Sequence, residues 1–260
     1  MKKAILFAAI IATSLSCNEK KQEAAAMNSD WLADNLKGKI EQTIASDYKA
    51  DSVGNIGEQD SCCIISMKYD DKGYLTEYSS NNKVGNDKLV QTITHYDNGA
   101  AKDIKNAKNG TQKLEIAIQI DKNGKYKTAE EYDSTGKVKY YYTDLIENDY
   151  GALTSMKKYN MDSTLSGTMS RTYDKSLFIG GEDKDSTGKI TESSAVKLDD
   201  KNNIAEYALK NVTKDSTTNK ITRYKYDGYD DKGNWTQRTK MDESGKPLQI
   251  TKREIVYYKD

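Results

Sequence analysis

The chain has 260 residues, with 40 basic and 40 acidic side chains and a formal net charge of zero. That length supports one large domain or two small ones, and the charge balance excludes the basic footprint of a nucleic-acid binder and any strong general pull toward anionic membranes. Charged residues reach 31%, which approaches disordered compositions, but 19 tyrosines and cancelling charges point to a fold with thin cores and much exposed sheet.

The first element is a secretory signal. Lys2 and Lys3 precede an apolar run over 4–12, and small residues lead into Cys17. The run is too short to span a bilayer, which takes about 20 apolar residues, and the polar Asn18-Glu19-Lys20-Lys21 follows at once. Ser14-Leu15-Ser16-Cys17 resembles the lipobox of bacterial lipoproteins, although Ser14 stands where leucine is commonest. The resemblance implies that Cys17 is acylated, with palmitate-type chains, and becomes the first mature residue. Each buried methylene adds about 0.8 kcal/mol, and two or more chains anchor stably. The expected organisation is a signal peptide over 1–16, a lipidated tether over 17–29 and a repeat-containing β domain over 30–260. The expected address is the bacterial cell envelope, lipid-anchored at the outer membrane. Of the cysteines left after Cys17, Cys62 and Cys63 are adjacent: either one faces the core and the other away, or they form a strained vicinal disulfide.

Asp30-Trp31-Leu32-Ala33-Asp34-Asn35-Leu36 reads as one or two helical turns capped by Ser29 or Asp30. Beyond Gly38, alternation replaces helical periodicity. Leu114, Ile116, Ile118 and Ile120 share one face of a strand, as do Val138, Tyr140 and Tyr142, and Val196 and Leu198. Near the C-terminus Leu248, Ile250, Val256 and Tyr258 fall on one parity. Between the strands one turn signal recurs: Asp70-Asp71-Lys72-Gly73, Asp121-Lys122-Asn123-Gly124, Asp133-Ser134-Thr135-Gly136, Asp185-Ser186-Thr187-Gly188, Asp230-Asp231-Lys232-Gly233 and Asp242-Glu243-Ser244-Gly245, with variants at Asp51 and Asp97. Aspartate accepts backbone amides within such a turn, and glycine takes the φ > 0 position. With a single proline, Pro247, little interrupts pairing. The expected fold is all-β: an antiparallel meander of about a dozen strands, as an extended twisted sheet or a half-barrel. Lys, Glu, Thr and Tyr occupy both parities of many strands, so cross-strand pairs of roughly 0.2–1 kcal/mol each are expected to hold a sheet that is wet on both faces over part of its length. A transmembrane barrel needs a lipid-facing apolar band, which Thr236-Gln237-Arg238-Thr239-Lys240 does not supply.

Tyr224-Lys225-Tyr226-Asp227-Gly228-Tyr229-Asp230-Asp231-Lys232-Gly233-Asn234-Trp235 resembles the YD repeat of RHS-type proteins, and Tyr69-Asp70-Asp71-Lys72-Gly73-Tyr74 is a second match. Leu36-Lys37-Gly38-Lys39-Ile40 behind a lipobox is similar to the opening of repeat-bearing lipoproteins of Bacteroidota. The resemblance implies β-hairpin repeats in an envelope setting and brings no catalytic residues. RHS proteins that enclose a toxin are far longer.

No catalytic or metal constellation emerges. His95 is the only histidine, and it has no nucleophile-elbow motif to serve. Zinc-type ligand spacing is absent, and the Asp-rich turns match turn chemistry better than a calcium loop. No pair of carboxylates is singled out for glycoside hydrolysis. Tyr140, Tyr142, Tyr224, Tyr226 and Trp235 either form a ligand-stacking platform or pack the sheet. The reading is a non-enzymatic envelope lipoprotein, a binding or scaffold module without cofactor. Its membrane contact runs through the lipid, and its partner is a glycan, a peptide or an envelope protein. The alternatives are a periplasmic carrier of a hydrophobic ligand in a half-barrel and, more remotely, a glycan-active enzyme.

Overall fold

The computed structural model describes residues 29–82 and 86–259; Cys17, the signal and most of the tether lie outside the described residues. One helical turn, α1 (Asp30–Ala33), follows Ser29 at the N-cap position. The Ser29 side chain makes no capping bond, and Asp30 turns away to accept the Leu75 N–H at 2.6 Å. The strands are β1 (Ile40–Ala50), β2 (Ile56–Tyr69), β3 (Leu75–Asn82), β4 (Asp87–His95), β5 (Ala101–Lys108), β6 (Thr111–Ile120), β7 (Tyr126–Asp133) and β8 (Val138–Glu147). They continue as β9 (Leu153–Asn160), β10 (Leu165–Asp174), β11 (Leu177–Asp185), β12 (Ile190–Leu198), β13 (Ile204–Val212), β14 (Thr217–Tyr229), β15 (Trp235–Met241) and β16 (Pro247–Tyr257). Cys62 and Cys63 fall within β2; their side chains lie outside the description.

Each strand pairs antiparallel with its neighbours in sequence, and β1 pairs with β16 from Ile40↔Tyr257 to Lys49↔Gln249. The sheet is therefore a closed barrel of sixteen strands, which corrects the expected dozen in an open sheet or half-barrel. The extra strands come from hairpins without the Asp-x-x-Gly signal. Asn148 replaces the aspartate in one, and Ser163 (φ 66°) and Asn202 (φ 65°) replace the glycine in two others. The Asp-x-x-Gly hairpins share one geometry, whereas Lys108–Thr111 and Asp174–Leu177 are joined by two-residue turns. At Asp70 the Gly73 N–H donates to the Asp70 carbonyl at 3.0 Å, and the carboxylate accepts the Lys72 and Tyr74 N–H groups at 3.0 and 2.9 Å. This is a type I turn followed by a left-handed residue, a geometry that suits hairpins.

Register separates the two faces. Ile93↔Ile104↔Ile116 and Ile118↔Ala129↔Tyr142 run around the inner face, all buried. The outer face carries direct cross-strand partners that form ion pairs: Lys68–Glu77 at 3.0 Å, Lys105–Glu115 at 3.3 Å, and Glu206 between Lys197 and Arg223 at 2.8 and 3.0 Å. On β16 the inner set is Thr251, Arg253 and Ile255; the apolar parity seen in sequence lies outside, with Leu248 exposed.

Successive turns alternate between two ends. Those after β2, β4, β6, β8, β10, β12 and β14 lie at one end, where residues 29–39 cross the barrel as a plug. Trp31 Nε1 donates to the Ile40 carbonyl at 2.9 Å, Asn35 Nδ2 to the Lys201 carbonyl and Asn203 Oδ1 at 3.0 Å each, and the Tyr69 hydroxyl to Asp34 at 2.7 Å. α1 also lies against β11, on the far side. The apolar core gathers under the plug and on the β4–β9 wall, around Leu36, Ile40, Leu75, Ile104, Ile116, Leu153 and Met156. Each such side chain contributes about 1.5–3 kcal/mol on burial.

Candidate functional site

The inner wall of β14–β16 differs from the packed wall opposite. Alternation aims Tyr224 and Tyr226 of β14, Arg238 and Lys240 of β15 and Arg253 of β16 inward, and register sets Tyr224 opposite Lys240 and Tyr226 opposite Arg238. A bulge beside Gly228 turns Trp235 onto the same wall. The Arg238 guanidinium carbon stands 4.7 Å from the ring centres of both Tyr224 and Trp235, and that of Arg253 stands 3.7 Å over Trp235. Tyr226 packs at 5.7 Å from Trp235, its hydroxyl donating to the Ile204 carbonyl at 3.1 Å. Arginine on a ring contributes about 0.5–1 kcal/mol when exposed and about 2 when desolvated. The rings are thus platforms that hold two guanidiniums.

These cations form no direct ion pair among the described residues. The arginine ion pairs among the described residues belong to Arg171 and Arg223, and Lys220 and Lys240 enter none. Arg238 Nε and Arg253 Nη2 are buried without a hydrogen-bond partner among the described residues. Burial pushes Arg253 down to about 10, partly offset by Tyr69 and Asp34, so it stays charged at neutral pH. Burial also lowers Lys240, assisted by the charges of Lys220 and Arg238 and opposed by Asp47. Asp47 itself accepts the Thr251 hydroxyl at 2.6 Å.

Tyr140 and Tyr142 belong to a separate inner group on β8. Lys158 lies 3.6 Å from the Tyr140 ring centre, 5.6 Å from that of Tyr142 and 3.7 Å from Glu131, to which the Tyr142 hydroxyl donates. Tyr142 is 2% exposed, so no ligand can stack on it. Charge is balanced here, as it is where Arg171 donates to Asp183 at 2.7 Å. His95 is half-buried against Tyr74 at 5.3 Å, and burial lowers its pKa. Outside, a groove of about 470 Å³ runs from β14 across β15 and β16 to β1, beside Tyr48, Asp227, Gln237, Lys252 and Glu254, where both signs of charge meet. Among the described residues no group of three or more His, Cys, Asp or Glu is placed to hold a metal ion.

No family model and no curated protein matches the chain. Among solved structures, a porin-like protein from Bacteroides uniformis superposes with a TM-score of 0.52 at 12% identity, over 84% of this chain and 97% of its own. A second porin-like protein, from Bacteroides vulgatus, gives 0.32 at 11% identity over 85% of this chain. The TcdB2-TccC3 structure without its hypervariable C-terminal region gives 0.34 at 11%, with this chain spanning 11% of it. The first likeness is one of fold. The barrels of lipid-spanning proteins present an apolar outer band about 25 Å tall. The outer face here instead presents Lys68, Lys105, Glu115, Lys157, Lys197, Glu206, Lys225 and Lys252. No helix among the described residues is long and apolar enough to cross a membrane.

Tyr224, Tyr226 and Trp235 were legible in sequence as aromatics, and the structure brings them together. Arg238, Lys240 and Arg253 were not singled out. Their only local signal is alternation along β15 and β16, and pairing register alone joins them to the rings.

Proposed function

We propose that the protein is a non-enzymatic envelope binding module: a barrel held at the outer membrane by acyl chains on Cys17, receiving its ligand in the lumen. The observation that carries this reading is the polarity of the barrel. A charged exterior suits water, and the one inner wall with uncompensated charge is half-buried and faces the interior. Sixteen strands enclose more width than side chains fill in smaller barrels. The chain enters the described fold at Ser29, on the plugged end. A tether from Cys17 therefore holds that end toward the membrane and turns the open mouth away. The buried wall of β4–β9 is packed, which disfavours the alternative of a carrier for a hydrophobic ligand.

Fractionation tests the anchor. Wild-type protein is expected in the membrane fraction and the Cys17→Ala variant in the soluble fraction; a variant that stays with the membrane overturns the anchor. Native mass spectrometry of the soluble variant tests the lumen, where a stoichiometric lipid would revive the carrier.

A further inference from the structure

Four cations descend one wall of the lumen. Lys220 is exposed toward the mouth, Lys240 and Arg238 follow along β15, and Arg253 stands above the plug. Neighbours along this row feel each other's charge: Lys240 senses Lys220 and Arg238, and Arg253 senses Arg238. The acids beside the row include Asp47, engaged by Thr251, Asp34, engaged by Tyr69, and Asp60, which accepts the Gln249 amide at 3.5 Å opposite Lys240. Four cations that form no ion pair with these three occupied carboxylates are an arrangement that folding alone does not reward, since like charges in a row cost stability. The rings of Tyr224 and Trp235 fix the guanidiniums in plane; Arg253 Nε donates to the Trp235 carbonyl at 2.9 Å, while Arg238 Nε and Arg253 Nη2 find no partner among the described residues, and buried unsatisfied donors cost about 1–3 kcal/mol each. Planar, pre-positioned guanidinium forks match oxyanions such as carboxylate and sulfate.

We propose that the β14–β16 inner wall binds a linear acidic oligosaccharide, threaded from the open mouth with its oxyanions on Lys220, Lys240, Arg238 and Arg253. This rests on the lumen reading above and names its ligand. An extended acidic peptide would bind by adding a strand, and the closed barrel offers no edge. A nucleic acid wants a basic molecule, and this one has no net charge. Between the cations the wall carries the half-buried Tyr224 hydroxyl and the half-buried Gln249 amide, which also donates to Asp60 at 3.5 Å, as partners for sugar hydroxyls.

The test titrates the Cys17→Ala full-length protein with an oligogalacturonate, a sulfated oligosaccharide and a neutral malto-oligosaccharide of equal length. Binding is read by calorimetry and by the fluorescence of Trp235 against a Trp235→Phe control. The acidic oligosaccharides are expected to bind at least tenfold more tightly than the neutral one, with affinity falling as salt rises. The arm that binds more tightly identifies carboxylate or sulfate as the group recognised. Arg238→Gln is expected to weaken binding at least tenfold, and Lys220→Gln, on an exposed position that folding does not need, severalfold. Equal binding of the neutral and acidic oligosaccharides, or unchanged binding in both variants, overturns the acidic ligand while leaving the lumen reading intact. Absence of binding by all three probes overturns this proposal, and only the lipid found by mass spectrometry would then redirect the lumen reading.

Discussion

At the plugged end, the residue after the left-handed turn position is buried in five hairpins: Tyr74, Ala100, Ala152, Asn203 and Asn234. At the open end the equivalent residues are Asn55, Lys137, Thr164, Lys189 and Lys246, all exposed. The turn chemistry is the same at both ends. At Asp185, as at Asp230, the carboxylate accepts the N–H groups two and four residues on. The hairpin motif therefore specifies a hairpin and not an end of the molecule. The end is specified by one residue per hairpin and by whether the plug covers it. Lys125 departs from the pattern, exposed at the plugged end with its ammonium on Glu147 at 3.1 Å.

The comparison is most sharply tested by one substitution made at each end. A methyl on Gly73 (φ +91°) would stand 2.5 Å from the Trp31 ring and 2.9 Å from Ser29 Cβ, whereas one on Gly136 (φ +78°) meets nothing within 4 Å. Both pay the left-handed cost of about 1–2 kcal/mol, and Gly73→Ala adds an overpacking cost of about 1–3 kcal/mol. Chemical denaturation should show Gly73→Ala the more damaging by about 2 kcal/mol; equal losses would mean that the plug does not bear on the turn.

Asn234→Ala should come next. The Asn234 side chain is 1% exposed. It accepts the Lys37 N–H at 2.7 Å and donates to the Lys37 carbonyl at 2.9 Å and to the Tyr257 hydroxyl at 2.7 Å. Orphaning Lys37 should cost about 2–3 kcal/mol and open residues 29–39 to limited proteolysis while the open-end turns stay unchanged.

The buried acids of the plug and the acids of the open-end turns should also answer pH in opposite senses. Asp30 is raised by burial and by Asp34 and Asp70, against the Leu75 N–H; Asp34 is raised by burial, against the Tyr69 hydroxyl and Arg253. A carboxyl whose folded pKa is raised gives stability below the ordinary aspartate value and loses it as pH rises through the folded value. Asp133, Asp185 and Asp242, which open the open-end turns, are held low first by Thr135, Thr187 and Ser244. Their contribution is present above the ordinary value and lost as pH falls through the lowered one. Denaturation of Asp34→Asn should therefore gain on wild type as pH rises, and that of Asp185→Asn should gain as pH falls. Parallel trends would break the contrast.

The smallest effect is expected away from both ends. Lys105→Ala, on the outer mid-barrel face opposite Glu115, should cost about 0.5 kcal/mol and less at high salt. A loss above about 2 kcal/mol would show that the outer ion pairs hold the barrel rather than decorate it.

Much of the local structure was legible. The period-2 run at Leu114, Ile116, Ile118 and Ile120 is β6, and its central pair faces the core. The Asp-x-x-Gly segments are hairpins, and Lys–Glu cross-strand pairs occur in register. The C-terminal apolar residues do share one parity, but it is the outer one, with Ile250 buried and Leu248 exposed there, while Arg253 points inward. A parity pattern says that two faces differ but does not say which one is enclosed. The candidate site was half legible for the same reason: aromatic residues announce themselves by type, whereas the arginines that lie on them sit on other strands.

The sequence by itself determined the hairpin and its alternation, because aspartate, glycine and β-branched residues act within a few bonds of their own backbone. Through the signal and Cys17 it also set the expectation of an anchor. Only the tertiary structure decided that the meander has sixteen strands and closes, that residues 29–39 plug one end, and that four cations share an inner wall. Those outcomes depend on partners far apart in sequence, Ile40 with Tyr257 and Lys37 with Asn234, and no local pattern encodes the register that joins them.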